Sequence, residues 1–441
     1  MPYVSVSESV ELYYEQTPHV KSKPSLVLIA PSWTNTIALA PYVDAFKRDY
    51  NCTAIELASH GRSINRVEPE WDFFCGAVEL AFAIEALNLP PSHIFAAGGP
   101  AFQVAVKTCL LFPDQVESLI LVGVATFFAE PRNNEAFEEV DEVWFRPPTE
   151  EDFVEVLGAI GDFLFGDKRP GADDVRMRDW LLGTIARRFH PWAGRHVWMA
   201  SWPNHRHPRL TPELLGKITK PILMIQGERD LAYPIEDIEE FSECFVSSEE
   251  LQFVRVPDGP HLLALSHPQL VISHMASFLK RRSPTAPKPV SLSPSTALEI
   301  AAEIGSNPSV ATRDPRDPLS YSLQSADELA ESRTRLAEMI KGEKECMLVL
   351  PMCHEPQDWF EPVTAADRER KLRRWKWSTR HENAHHYTPS SRPLSQLTLS
   401  EGTRGGVTVE VDRSVAVDRD THPLPPLPPQ PQLPPLTVSP Y

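Results

Sequence analysis

Thiol chemistry has little to work with in this chain. Only six of 441 residues are cysteine, and Cys52, Cys75, Cys109, Cys244, Cys346 and Cys353 form no C-x-x-C pair. Four of them lie inside apolar runs, so buried, reduced thiols are the expectation. No apolar run reaches the ~18 residues needed to span a bilayer. The opening residues, MPYVSVSESVELYYEQ, lack the charged and apolar segments of a secretory signal. Positive charge is also short: 43 Lys and Arg stand against 60 Asp and Glu, for a formal net charge of −17. That balance disfavours general binding to nucleic acid or anionic lipid. The expectation is a soluble, cytoplasmic protein with no membrane span and no nucleic-acid partner.

What the chain does hold is alternation. SLVLIA (Ser25–Ala30), CTAIEL (Cys52–Leu57), IFAAG (Ile94–Gly98), LILVGV (Leu119–Val124), ILMIQG (Ile222–Gly227) and LQFVRV (Leu251–Val256) read as strands. Continuous apolar strands suit a sheet covered on both faces, hence a parallel one. Helical patterns lie between them, at Trp71–Asn88, Phe102–Phe112 and Pro268–Arg282. The last has proline in its first turn and cations in its last, as helix ends favour. The fold class is α/β, a doubly wound, mostly parallel sheet. From 125 to 216 no strand is evident. The segment is helical and aromatic, and a lid over the strand ends is expected there.

Proline crowds the far end: 21 of 44 prolines come after Arg282. Ser283–Ala297 has linker composition. The expected organisation is a core of 1–124 and 217–282, a helical lid of 125–216, and a Pro-rich, largely disordered tail of 283–441. Within the tail, Ser325 and Glu328 open a capping box for a short helix. Asp367–Tyr387 is locally basic and carries Trp375 and Trp377. The end, HPLPPLPPQPQLPPLTVSPY, is polyproline in character and could meet a WW- or SH3-type domain.

Several stretches, in order, resemble the α/β-hydrolase fold superfamily over about residues 3–282. LVLIAPSW sits where that family has a strand ending in His-Gly. AIELASHGRS is similar to its strand and turn ending in G-x-S. AAGGPAFQVAVKTCLLFPDQVESLILVG is similar to its nucleophile turn, helix and next strand. PILMIQGERDLAYP and VRVPDGPHLLALSHPQLV correspond to the segments bearing the acidic residue and the histidine. The resemblance implies a nucleophile at the centre of G-x-S-x-G, on a sharp turn at positive φ. Aligned on Gly98-Gly99-Pro100-Ala101-Phe102, that centre is Pro100. Proline has no nucleophilic atom, and its φ is locked at about −65°. No serine, cysteine or aspartate lies between Ile94 and Lys107. In the oxyanion loop Ala30-Pro31 replaces His-Gly, which leaves the amides of Ser32, Trp33 and Ala101 as candidate donors.

The resemblance assigns the other two catalytic positions to Asp230 and His261. A carboxylate can fix the tautomer of a histidine and leave its other nitrogen as a base. Trp192, Trp198 and Trp202, with Arg187, Arg188, His190, Arg195, His196, His205, Arg206 and His207, add an aromatic and basic cluster to the lid. His205 and His207 have no carboxylate or cysteine at ligand spacing, so no metal is expected. The chain therefore reads as a hydrolase-fold protein without its serine nucleophile, binding a small apolar ligand or a protein under the lid and needing no cofactor. The alternative is an enzyme using the His261–Asp230 dyad, as a general-base hydrolase or in the manner of cofactor-independent dioxygenases of this fold.

Overall fold

The structure is a computed structural model. It describes residues 2–125, 139–145, 147–166, 172–201, 203, 210–231, 233–282, 290–349, 403–404 and 407–408. The chain divides into units of 1–409 and 410–441, and every described residue belongs to the first.

Nine strands form one sheet: β1 (Tyr3–Ser5), β2 (Val10–Gln16), β3 (Ser25–Ile29), β4 (Asn51–Ile55), β5 (Ile64–Asn65), β6 (Ser92–Ala97), β7 (Val116–Val122), β8 (Ile222–Gly227) and β9 (Leu251–Val256). Their order is β1-β2-β4-β3-β6-β7-β8-β9, with β5 pairing β2. From β4 to β9 every pairing is parallel, while β1, β2 and β5 are joined antiparallel at one edge. The parallel strands are apolar throughout because both faces are covered. In β3, Val27 and Ile29 enter one core and Leu26 and Leu28 the other, as the two-residue side-chain period requires.

The early helices are α1 (Ala40–Phe46), α2 (Phe73–Ala86) and α3 (Gly99–Leu111). Between β7 and β8 lie α4 (Glu150–Phe165), α5 (Ala172–Arg188), α6 (Gly194–Ser201) and α7 (Pro212–Leu215), and no strand occurs among the described residues of that interval. Then come α8 (Ile235–Ser242), α9 (Leu263–Ser266), α10 (Pro268–Lys280), α11 (Pro294–Ile304) and α12 (Ala326–Val349). Residues of α1 and α10 fill the core on one face of the sheet; α2, α3 and α8 fill the other. Among the described residues no helix is long and apolar enough to cross a membrane. Cys52, Cys75 and Cys109 are buried free thiols, and Cys244 is half-buried.

The folded body does not end near Arg282. Helix α11 buries Ala297, Leu298 and Ala301, and Tyr321 is fully enclosed. The anchor is Asp72. Its Oδ1 accepts from the amides of Phe74 (2.8 Å) and Cys75 (3.1 Å), which caps α2. Its Oδ2 accepts from the amide of Leu323 (2.8 Å) and the hydroxyl of Ser322 (3.3 Å). Gln324 donates to the carbonyls of Pro69 and Trp71, and Arg316 pairs with Glu85 at 2.7 Å. The Ser325–Glu328 capping box forms, with each amide bonded to the other's side chain, and α12 starts directly after it. The tail segments 367–387 and 422–441 lie outside the described residues.

This packing can be tested in two ways. Replacing Asp72 by Ala uncaps α2 and strips the Leu323 amide, so it should cost about 1–3 kcal/mol in urea unfolding. Truncation after Arg282 should lower the urea midpoint as well; an unchanged midpoint would show that the α11–α12 segment contributes nothing. A third test concerns Glu79, which is buried and accepts from the Trp71 indole at 3.0 Å. Burial raises its carboxyl pKa from 4.5 to about 8, although the indole bond opposes this. Between those values the folded state holds a proton that the unfolded state has lost, so this group's contribution to stability falls as pH rises. Glu79→Gln should flatten that part of the pH–stability curve, as measured by urea unfolding from pH 5 to 8.

Candidate active site

The sheet reverses its direction of winding between β3 and β6. β4 lies on one side of β3 and β6 on the other. Connections from β3 and β6 leave in opposite directions, and ligand crevices form at such a switch point, beyond the C-terminal strand ends. This brings the loop after β3, with Ser32 and Trp33, against the turn after β6.

That turn corrects the register expected from sequence. The left-handed residue is Gly98, at φ 75°, and α3 starts at the next residue. Pro100 is at the second helical position, where its missing N–H has no acceptor to lose. A locked negative φ suits a helix, so the turn makes its reversal at the residue without a Cβ. A Cβ on Gly98 would lie 3.3 Å from Ser32 Oγ and 3.9 Å from Leu262 Cδ1. Phe102 is buried against Phe241, and Ala101 is buried in the first turn of α3.

Asp230 comes after β8 and His261 after β9, and the fold brings them together. His261 Nδ1 and Asp230 Oδ2 are 2.6 Å apart, and both side chains are buried. Oδ2 also accepts from Gln226 Nε2 (2.8 Å), and Oδ1 accepts from the Tyr233 amide (3.0 Å). Gln226 in turn accepts from the Val124 amide at 2.7 Å, which fixes the end of β7 to the carboxylate. The sequence reading missed Gln226; its signal is a single polar side chain inside ILMIQG. The imidazole packs on the rings of Phe163 and Tyr233, each centroid 5.5 Å away. The Leu262 amide donates to Leu164 O (3.0 Å), so the histidine loop is bonded to the end of α4. Gly123, at φ 61°, lets the His261 carbonyl approach: a Cβ there would be 2.2 Å from that oxygen.

Trp33 adopts φ 58° and packs on Trp144, which meets Phe153, which meets His190. Burial lowers the His190 pKa to about 4, so it is neutral at pH 7. His196 and Trp198 of the expected basic cluster are buried, with His196 Nδ1 3.0 Å from Ser59 Oγ. Arg195 is half-buried on the same helix. The side chains of Trp192, Trp202, Arg187, Arg188, His205, Arg206 and His207 lie outside the described residues.

Solved structures of the same architecture exist. The chain is similar to MGS-M2, an alpha/beta hydrolase enzyme from a Medee basin deep-sea metagenome library, with TM-score 0.52 and 15% identity over 62% of this chain and 96% of that one. It is similar to the esterase EaEST from Exiguobacterium antarcticum, with TM-score 0.52 and 16% identity over 63% and 98%. A thermophilic esterase from Thermogutta terrifontis matches with TM-score 0.50 and 20% identity over 62% and 94%. The chain has the α/β-hydrolase fold. No family model matches the sequence, and no curated protein is significantly similar to it.

The position of the left-handed residue is testable. Gly98→Ala should cost roughly 1–2 kcal/mol in chemical unfolding, from the positive φ alone. Pro100→Ala should change stability far less. Equal effects of the two, or a larger one at Pro100, would return the turn to the register with Pro100 at its centre.

Proposed function

We propose that this chain is a hydrolase-fold protein with no nucleophile at its strand–helix turn, that it binds a small apolar ligand beneath the helical lid of residues 125–216, and that His261 acts there as a general base. The observation that carries the reading is the asymmetry of the dyad. Asp230 has donors on both oxygens and holds His261 Nδ1, while Nε2 has no hydrogen-bond partner among the described residues. With Nδ1–H donating to Asp230, the lone pair is on Nε2. When Nε2 takes a proton, the buried carboxylate stabilises the imidazolium that results. The Phe163 and Tyr233 rings pack on the imidazole, each centroid 5.5 Å away.

Gly98 supports the other half of the proposal. The resemblance places serine at such a turn, and here the left-handed residue has no side chain. The apolar character of the ligand follows from the residues near the dyad: Phe163 and Tyr233 pack on the His261 ring, and Leu262, directly after it, is buried in the apolar core with Trp33 against it. The base does the same work whether the proton comes from water or from the ligand.

Short-chain p-nitrophenyl esters test the role. His261→Ala and Asp230→Asn should each lower kcat/KM by about 10²–10⁴-fold, the usual contribution of a positioned general base. Wild-type turnover no faster than that of His261→Ala would remove the base from the proposal and leave ligand binding alone.

A further inference from the structure

A glycine at the left-handed turn leaves empty the space that a side chain would fill, and a hydroxyl from the neighbouring loop borders that space. The point where a Gly98 Cβ would stand is 3.3 Å from Ser32 Oγ and 3.9 Å from Ser32 Cβ. Ser32 belongs to the loop after β3, the strand next to β6. Its Oγ is buried and has no hydrogen-bond partner among the described residues. Nearby buried hydroxyls behave differently: Thr34 donates to Pro31 O at 2.6 Å, Ser63 donates to Glu56 O at 2.6 Å, and Ser59 bonds Asn65 and His196. A buried hydroxyl without a partner is destabilising, which leaves Ser32 Oγ available to a ligand. The residue after it, Trp33, is at φ 58°, a conformation that bulky side chains rarely adopt. Leu262, the residue directly after His261, has its Cδ1 3.9 Å from the same point. The hydroxyl, the empty Cβ position and the histidine loop thus converge.

We propose that Ser32 Oγ is the nucleophile of this site, delivered from the β3 loop into the space left by Gly98, and that its substrates are esters of short apolar acids. The proposal rests on His261 acting as a base. Ser32 Oγ bonds to the ester carbonyl carbon, its proton passes to His261 Nε2, and the C=O π pair moves onto oxygen. Collapse restores C=O and breaks the bond to the alkoxide, which takes the proton from Nε2 and leaves as the alcohol. Water then adds to the acyl-Ser32 carbonyl and gives a proton to Nε2. That proton returns to Oγ as the carboxylic acid departs. Water is the only co-reactant, and no electrons are exchanged with an outside partner.

The test uses the full chain, a fluorophosphonate probe and peptide mass spectrometry. Ser32 should carry the phosphonyl adduct. Ser32→Ala should abolish it, and His261→Ala should slow its formation by about 10²-fold or more. Ser32→Ala removes a single atom, and its unfolding midpoint reports whether the fold survives. As a second variant, Ser32→Cys should react with a haloacetamide in a His261-dependent way. Cys52 and Cys109, whose thiols burial pushes up to about 12, should stay unmodified. Ester turnover that needs His261 but persists in Ser32→Ala, with no adduct on Ser32, would overturn the nucleophile and keep the base. Loss of neither labelling nor turnover in His261→Ala would overturn the base as well.

Discussion

A buried arginine holds the site's first loop in place. Arg62 is enclosed, its guanidinium 3.8 Å above the Tyr13 ring, with Nη2 bonded to Glu15 Oε1 (3.1 Å), Glu56 Oε1 (3.0 Å) and Thr36 Oγ1 (2.5 Å). Its own amide donates to Glu56 Oε2, and the Thr36 amide donates to Glu56 Oε1 at 2.8 Å. Burial opposes the charge, and Glu56, Tyr13 and Glu15 outweigh it, so the guanidinium stays protonated. Buried ions are tolerable only when the partners are complete, and here they come from β2, from Glu56 directly after β4 and from the residues leading into α1. Through Thr36 the same contacts anchor the loop that follows β3, four residues after Ser32.

The sheet was legible because its signal is local and redundant. Six apolar runs correspond to six strands, two of them, Ile222–Gly227 and Leu251–Val256, with the same bounds in sequence and structure. The site was legible only in part. The segments after β8 and β9 pointed to Asp230 and His261 because they resemble the segments that bear the acidic residue and the histidine in α/β-hydrolases. The nucleophile turn was misplaced by two residues. GGPA offers two glycines beside a proline, and G-x-S-x-G does not fix which residue reverses the chain. The better signal was Pro100 itself, a residue favoured in the first turn of a helix, which places the start of α3 just before it. Gln226 went unseen because its partners, Val124 and Asp230, come from two different strand ends.

The boundary near Arg282 failed for a different reason. Proline content in 283–297 marks a stretch that does not continue a helix, but it does not measure what comes after. Ala297, Leu298 and Ala301 form an apolar stripe at helical spacing, enough to expect a buried face. What no local reading supplies is the partner. Asp72 and Leu323 are 251 positions apart, and the carboxylate serves both as cap of α2 and as acceptor for the returning chain. Helix α12 then packs on α6 and on residues 191–193 of the helical interval, while its Arg333 pairs with Glu70 before α2. The C-terminal segment thus bridges the core and the helical interval between β7 and β8.

Topology rather than residue number decides what this site can do. At the switch point the loop after β3 and the turn after β6 come together from neighbouring strands, and a Cβ on Gly98 would lie 3.3 Å from Ser32 Oγ. A residue without a Cβ on one loop makes room for a hydroxyl from the other. The histidine need not move, because its position depends on Asp230, Gln226 and the Phe163–Tyr233 pair, none of which belongs to the β6 turn. The hydrogen bonds of the dyad therefore do not involve the β6 turn. A scan for G-x-S-x-G tests only one of the two loops that can fill this space. In this chain the loop it leaves out is the one that carries a serine.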